Sequence, residues 1–251
     1  MKIGIIIPVV QVEMVDKLLY QLANGIKKPD IIVIIDVSKD GMHLSDGVYE
    51  TVKFLRYRRI MPDQNLSYYK PAFGTNEAWT LGYNILKQYI PYYGIVGFLN
   101  DDIEINPYFL QSISLAYSTH KNTCHLLYPQ TVNCPEKVQT AQLSYTKLRR
   151  TKSRYGYAWF LPRTIFDKIP PFPENCKIWY GDNWVMVHLR HMAYNLHINI
   201  GNFIYHHGGT SSKQLKADMA GHGLNLSKQR REEHKEYLRA VRKWRGQDET
   251  N

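Results

Sequence analysis

Near its start the chain carries an unbroken apolar run, Ile3-Gly4-Ile5-Ile6-Ile7-Pro8, and Ile31-Ile32-Val33-Ile34-Ile35 is a second one. A strand with one face in water alternates polar and apolar side chains. A strand without alternation must be covered on both faces, which calls for a sheet between two layers of helix. Between the two runs, Val12 to Leu22 carries apolar residues at helical spacing, with Gly25 as its stop. Val52 to Tyr57 reads as a third strand, Asn76 to Tyr89 as a helix and Ile95 to Leu99 as another strand. This rhythm predicts an α/β fold, a Rossmann-like and mostly parallel central sheet flanked by helices. Pro107 to Tyr117 reads as a helix opened by an Asn106 cap with proline in the first turn. The end, Leu226 to Arg245, is helix-like and rich in Lys and Arg, with no apolar stripe broad enough for a central core helix.

Charge narrows the partners. The 251 residues carry a formal net charge of +10, a positive mean field that concentrates nucleotides, nucleic acid or anionic membrane. No apolar run approaches the roughly 20 residues needed to span a bilayer, and Lys2-Ile3-Gly4 does not begin like a signal peptide. The expectation is a soluble protein without a transmembrane segment, located in the cytoplasm, or in a host's cytoplasm if the chain is viral. Cys124, Cys134 and Cys176 lack CxxC spacing, so neither a disulfide framework nor a zinc knuckle is indicated.

In an open parallel sheet, ligands bind outside the carboxyl ends of the strands. The residues there are Pro8-Val9-Val10, Asp36-Val37-Ser38-Lys39-Asp40-Gly41 and Asn100-Asp101-Asp102. Adjacent carboxylates repel, and a divalent cation is the simplest partner that lets both stay ionised. The same residues also suit a solvated turn after a strand.

Taken in order, these segments resemble family-two glycosyltransferases of the GT-A fold. Ile5-Ile6-Ile7-Pro8 is similar to that family's opening strand, and Ile34-Ile35-Asp36-Val37-Ser38-Lys39-Asp40 to its second. Gly74-Thr75-Asn76-Glu77-Ala78-Trp79-Thr80-Leu81-Gly82 is similar to its glycine-led helix start. Asn100-Asp101-Asp102 resembles the DxD motif with Asn in first place, and Tyr205-His206-His207-Gly208-Gly209-Thr210-Ser211 the late HxGGxS element. The resemblance runs from residue 3 to about residue 211 and implies a GT-A domain over residues 1–225, followed by a basic helical extension over 226–251.

The resemblance implies a metal-dependent transferase that moves a sugar, with inversion, from a nucleoside-diphosphate sugar, a UDP-sugar foremost, to an acceptor hydroxyl. Asp102 becomes a ligand of Mn2+ or Mg2+ and His206 a ligand of the metal or a contact of the pyrophosphate. Donor contacts fall on Pro8, Val10, Asp36, Ser38, Asn76, Asp101 and Gly156. Ile178-Trp179-Tyr180-Gly181-Asp182-Asn183-Trp184 resembles the family's acidic motif, which makes Asp182 the candidate general base, although its place also suits a helix N-cap. Acceptor contacts fall on Trp159, Trp179, Tyr180, Arg149 and Arg150; each of the three aromatic rings could equally be core. The crowded cations Lys147, Arg149, Arg150, Lys152 and Arg154 read as a basic loop. With the basic end of the chain they suit DNA bearing a hydroxymethylated base, as in phage-type DNA modification. A polysaccharide, glycoprotein or lipid-linked glycan shares every catalytic residue. A non-catalytic nucleotide-sugar-binding module is the alternative from another class.

Overall fold

A computed structural model of the chain describes residues 1–10, 12–36, 57–60, 75–120, 122–139, 147–152, 156–176, 178–207 and 225–246. The two apolar runs become β1 (Ile3–Val9) and β2 (Ile31–Asp36), buried at every position and joined by α1 (Val12–Asn24). Next come β3 (Tyr57–Ile60), α2 (Thr75–Leu86), β4 (Ile95–Leu99), β5 (Ile103–Ile105) and α3 (Phe109–Thr119). The rest is β6 (Leu126–Val132), α4 (Glu136–Gln139), β7 (Lys147–Arg150), β8 (Ala158–Pro162), α5 (Arg163–Phe166), α6 (Gly181–His191), β9 (Leu196–His206) and α7 (Leu226–Trp244).

The sheet runs β3-β2-β1-β4-β8-β6-β9-β5, with β7 also on β9. β3, β2, β1 and β4 are mutually parallel, as are β6 and β9, while β8 lies antiparallel between β4 and β6. Absence of alternation in β1 has the predicted consequence. Ile3, Ile5 and Ile7 join one apolar cluster with α1 and α3, and Ile6 joins a second with α2 and α6. Both faces are dry, which is why the run contains no polar residue.

Some boundaries differ from the sequence reading. Most of the strand expected over 52–57 lies outside the described residues, and the described strand is Tyr57–Ile60. α3 starts at Phe109 because the Asn106 side chain accepts from Tyr108 N–H (2.9 Å) and donates to the Phe203 carbonyl (2.8 Å), pinning the turn to β9 before the helix begins. Of the expected basic loop, Lys147–Arg150 is an edge strand, antiparallel to β9. Cations along an outer strand discourage pairing with another chain. No helix of the described residues is long and apolar enough to cross a membrane.

Candidate functional site

The turn after β4 places three polar residues at the carboxyl edge of the sheet, and two of them are nearly inaccessible: Asp101 is 3% and Asp102 2% exposed. Their carboxylates point to different jobs. Asp101 Oδ2 accepts the Val10 backbone N–H at 2.7 Å, fastening the turn to the end of β1. Asp102 Oδ1 faces His206 Nε2 at 3.3 Å. Strand pairing creates that meeting: Ile103 of β5 lies opposite His206 of β9, and His207 N–H donates to the Asp102 carbonyl at 3.0 Å. The Tyr157 ring stacks on His206 at 4.4 Å and 18°, fixing the imidazole plane. Tyr157 is tied in turn to the β4 turn, its carbonyl accepting from Asn100 N–H at 2.8 Å. His207 turns away, its Nε2 2.8 Å from Glu104 Oε1, the same oxygen that Lys17 Nζ reaches at 2.6 Å.

Among the described residues no group of three or more His, Cys, Asp or Glu side chains could hold a metal. The pair Asp102 and His206 nonetheless fits one that completes its shell from elsewhere. Adjacent ligands of an octahedral ion at about 2.1 Å stand roughly 3 Å apart, close to the observed 3.3 Å. A hard carboxylate oxygen and an imidazole nitrogen suit Mn2+ or Mg2+, the nitrogen favouring manganese.

Gly156, beside Tyr157, leads to the carboxylate expected to act as base. A Cβ on Gly156 would lie 3.3 Å from Asp182 Oδ2, so this backbone lies close against the acid. Asp182 sits half-buried in the first turn of α6. The order Asp102, His206, Tyr157, Gly156, Asp182 is therefore continuous in space, although β5, β6, β7 and β8 intervene in the chain between its members. Asp36 is buried at the end of β2, opposite Val9, and Pro8 lies opposite Ile35. Ser38 lies outside the described residues, as do Gly208 to Ser211.

Four further residues expected to contact donor or acceptor lie in the interior or on β7. Trp159 is 1% exposed, stacked on Phe98 at 3.9 Å and edge-on to Trp79 at 5.3 Å, so its ring is core and offers no face to an acceptor. Asn76, also 1% exposed, gives both amide hydrogens to the chain, to the carbonyls of Cys176 (2.6 Å) and Trp179 (2.9 Å). It positions the loop ahead of Asp182 and has no donor hydrogen left for a nucleotide sugar. Arg149 and Arg150, exposed on β7, lie opposite Ile198 and His197. From His197 to His206 the ladder with β6 and β5 advances about six steps, or roughly 20 Å. The arginines are thus remote from Asp102. Arg150 lines a separate cavity of about 730 Å³ with Lys152, Arg190 and Tyr194.

Trp179 is half-buried, and the Tyr180 ring is taken up by His234 (5.2 Å) and Tyr237 (5.3 Å) of α7. Sequence reasoning missed Tyr157 and Glu233, whose carboxylate holds the backbone of that loop. Neither carries a sequence signal: one is a tyrosine among nineteen, the other an acid in a mixed-charge helix.

A mostly parallel sheet with a carboxylate turn after β4 and an antiparallel β8 beside it is the GT-A fold. No family model and no curated protein matches the chain. Solved structures do. GalNAc-T7, in a crystal structure with UDP, GalNAc and Mn2+, is similar at TM-score 0.54 and 14% identity over 82% of this chain and 43% of that one. S. aureus TarS 1-349 is similar at TM-score 0.53 and 15% identity over 99% of this chain and 74% of that one. Its complex with UDP-GlcNAc gives TM-score 0.53 and 17% identity over 82% and 58%. At such identity the likeness carries the fold, and this chain spans less than half of the GalNAc-T7 chain.

Proposed function

We propose that this chain is a divalent-metal-dependent, inverting glycosyltransferase that takes its sugar from a nucleoside-diphosphate donor. The observation that carries the reading is the Asp102–His206 pair at 3.3 Å, on the sheet's carboxyl edge and linked through Tyr157 and Gly156 to Asp182. Similarity in fold to proteins crystallised with UDP and Mn2+ or with UDP-GlcNAc supports a UDP-sugar and manganese.

Asp102 and His206 would hold the ion, which would supply positive charge to shield the departing diphosphate. Asp101 keeps the β4 turn against Val10, so the Asp102 backbone does not drift. Asp36 and Pro8 line the rim where the nucleoside would lie. Asp182 takes the proton of the acceptor hydroxyl as that oxygen attacks the anomeric carbon opposite the leaving diphosphate, and no covalent intermediate is needed. Glycine at 156 keeps a side chain off the carboxylate.

For the acceptor we favour an anionic polymer, DNA with a hydroxymethylated base. Arg150, Lys152 and Arg190 converge on one cavity whose lining, among the described residues, contains no acid, and exposed Lys228, Arg230, Arg231, Lys235, Arg239 and Arg242 stud α7. Cations roughly 20 Å from the reaction centre contact a long substrate, one that continues beyond the reacting residue.

The test is thermal. With Mn2+ present, UDP-glucose, UDP-GlcNAc, GDP-mannose and dTDP-glucose are compared for the rise in Tm each produces, since a ligand of the native state must stabilise it. The stabilising donor should be turned over with release of nucleoside diphosphate, and Asp102→Asn should abolish this while leaving the fold intact. No rise with any donor removes the reading. Duplex DNA binding that falls steeply with salt supports the nucleic-acid acceptor; none at low salt leaves the glycan classes.

A further inference from the structure

The loop that delivers Asp182 is gripped from two sides. Trp179 shows this in one residue: its carbonyl accepts from Asn76 of α2 at 2.9 Å, and its N–H donates to Glu233 Oε2 of α7 at 2.9 Å. Ile178 N–H reaches the same Glu233 oxygen at 3.1 Å, and the Gln229 amide donates to Oε1 at 3.2 Å. Glu233 is 3% exposed although it lies in a largely solvated basic helix. Burying a carboxylate is costly unless donors replace the lost water, and these backbone N–H groups do so.

The next residue along the chain is strained. Tyr180 has φ 67° and ψ 6°, the left-handed region that non-glycine residues avoid, at a cost of about 1 kcal/mol or more. Such a residue stays in place only where its surroundings leave it no choice. Here they do: its ring stacks on His234 and Tyr237, and Gly181 packs so closely on Asn76 that a Cβ there would fall 2.0 Å from Asn76 Oδ1. The reversal of the chain at Tyr180 starts α6 and aims Asp182, its second residue, at Gly156. On α7 the inward residues Glu233, Tyr237, Val241 and Trp244 recur at helical spacing, Trp244 closing on His188 at 4.0 Å and His191 at 4.7 Å.

We propose that Glu233 is a positioning residue: through the Ile178 and Trp179 amides it sets the loop that points Asp182 at the acceptor, so the C-terminal helix controls transfer without touching the donor. This rests on the glycosyltransferase reading for its consequence in turnover, but the grip itself has an independent reporter in Cys176. That residue is 1% exposed, its thiol donates to the Glu233 carbonyl at 3.4 Å, and burial pushes its pKa up to about 12, so while α7 is docked it should resist alkylation.

The experiment uses the whole chain, Mn2+ and UDP-GlcNAc, with water as acceptor; hydrolysis releases UDP while Asp182 takes a proton from the attacking water. Glu233→Ala should lower kcat about 100-fold, the penalty of a misplaced reacting group, with KM for UDP-GlcNAc within about threefold of wild type. Glu233→Gln still offers one oxygen to the two amides and an amide to Gln229, and should recover most of the lost turnover. In Glu233→Ala the iodoacetamide labelling of Cys176 should quicken at least about tenfold. If the alanine variant does not fold, Glu233→Asp, whose carboxylate is one methylene short of the amides, takes its place with the same expectations. Turnover near wild type with a freely labelled Cys176 overturns the positioning role, and protection of Cys176 unchanged in the alanine variant, or in the aspartate variant that replaces it, overturns the grip. Should wild type bind and hydrolyse no UDP-GlcNAc, the glycosyltransferase reading is what fails with this donor, and Cys176 labelling still decides whether Glu233 holds the loop.

Discussion

Replacing Asn76 by Asp swaps one NH2 group for an oxygen and leaves the shape unchanged. Because the Asn76 amide donates to the carbonyls of Cys176 and Trp179 at 2.6 and 2.9 Å, the substituted group would present oxygen to oxygen at both. When protonated, the new carboxyl has a single O–H and serves one carbonyl, leaving the other unsatisfied at about 1–3 kcal/mol. When ionised it serves neither and is a buried charge facing two carbonyl dipoles, so its pKa in the folded chain must lie above the ordinary value near 3.9. A carboxyl raised in this way binds its proton more tightly folded than unfolded. Its penalty is therefore small below about pH 4 and grows by about 1.4 kcal/mol per pH unit until the raised pKa is passed. Urea unfolding of Asn76→Asp and wild type at pH 4.5, 6 and 7.5 measures this. The expected outcome is a deficit of about 1–3 kcal/mol at the lowest pH that widens by at least about 2 kcal/mol at the highest. A deficit under about 1 kcal/mol that does not change with pH would show that the amide is not committed to the loop, and Asn76 would return to the donor site.

The same geometry sets three further outcomes. Asp182→Asn should depress turnover about 100-fold or more with KM for the donor retained, and unchanged steady-state kinetics would move the base elsewhere. Trp159→Ala removes a ring packed on Phe98 and Trp79 and should cost about 3–5 kcal/mol in urea unfolding; a loss below about 1 kcal/mol would place the ring at the surface. His188 is buried beside Trp244 with Nδ1 2.8 Å from the Trp184 carbonyl, and burial lowers its pKa below 6.5. Its contribution to stability is thus complete above pH 6.5 and is lost as pH falls from there toward the lowered value, because the unfolded chain takes up the proton first. Tm measured from pH 8 to pH 5 should fall more steeply in wild type than in His188→Leu, and parallel curves would refute this.

Elements whose role depends on local pattern are legible in the sequence. β1, β2 and β4 fall where unbroken apolar runs predict, because burial on both faces leaves a mark in every residue of the strand. The acids after β4 are equally plain, since two adjacent carboxylates at a strand end need a reason. The surroundings of Trp159, Asn76 and Arg150 are not legible in the sequence, for a common cause. A tryptophan, an asparagine or an arginine near a motif looks the same in sequence whether it faces a ligand, the core or a distant edge of the sheet. Which of these holds is decided by strand register and helix docking, which depend on residues far away in the chain.

By itself, the order of amino acids determined the layered α/β architecture, the rim where chemistry would gather, and the adjacent carboxylates after β4 as the feature to examine. Periodicity and charge are local properties, and local properties survive in a one-dimensional record. Only the tertiary structure decided that His206 meets Asp102, that Gly156 opens onto Asp182, and that a helix near the C-terminus places a buried glutamate under the loop between them. Those contacts join residues 26 to 104 positions apart, and only the packing of the sheet and its helices brings them within reach of one another.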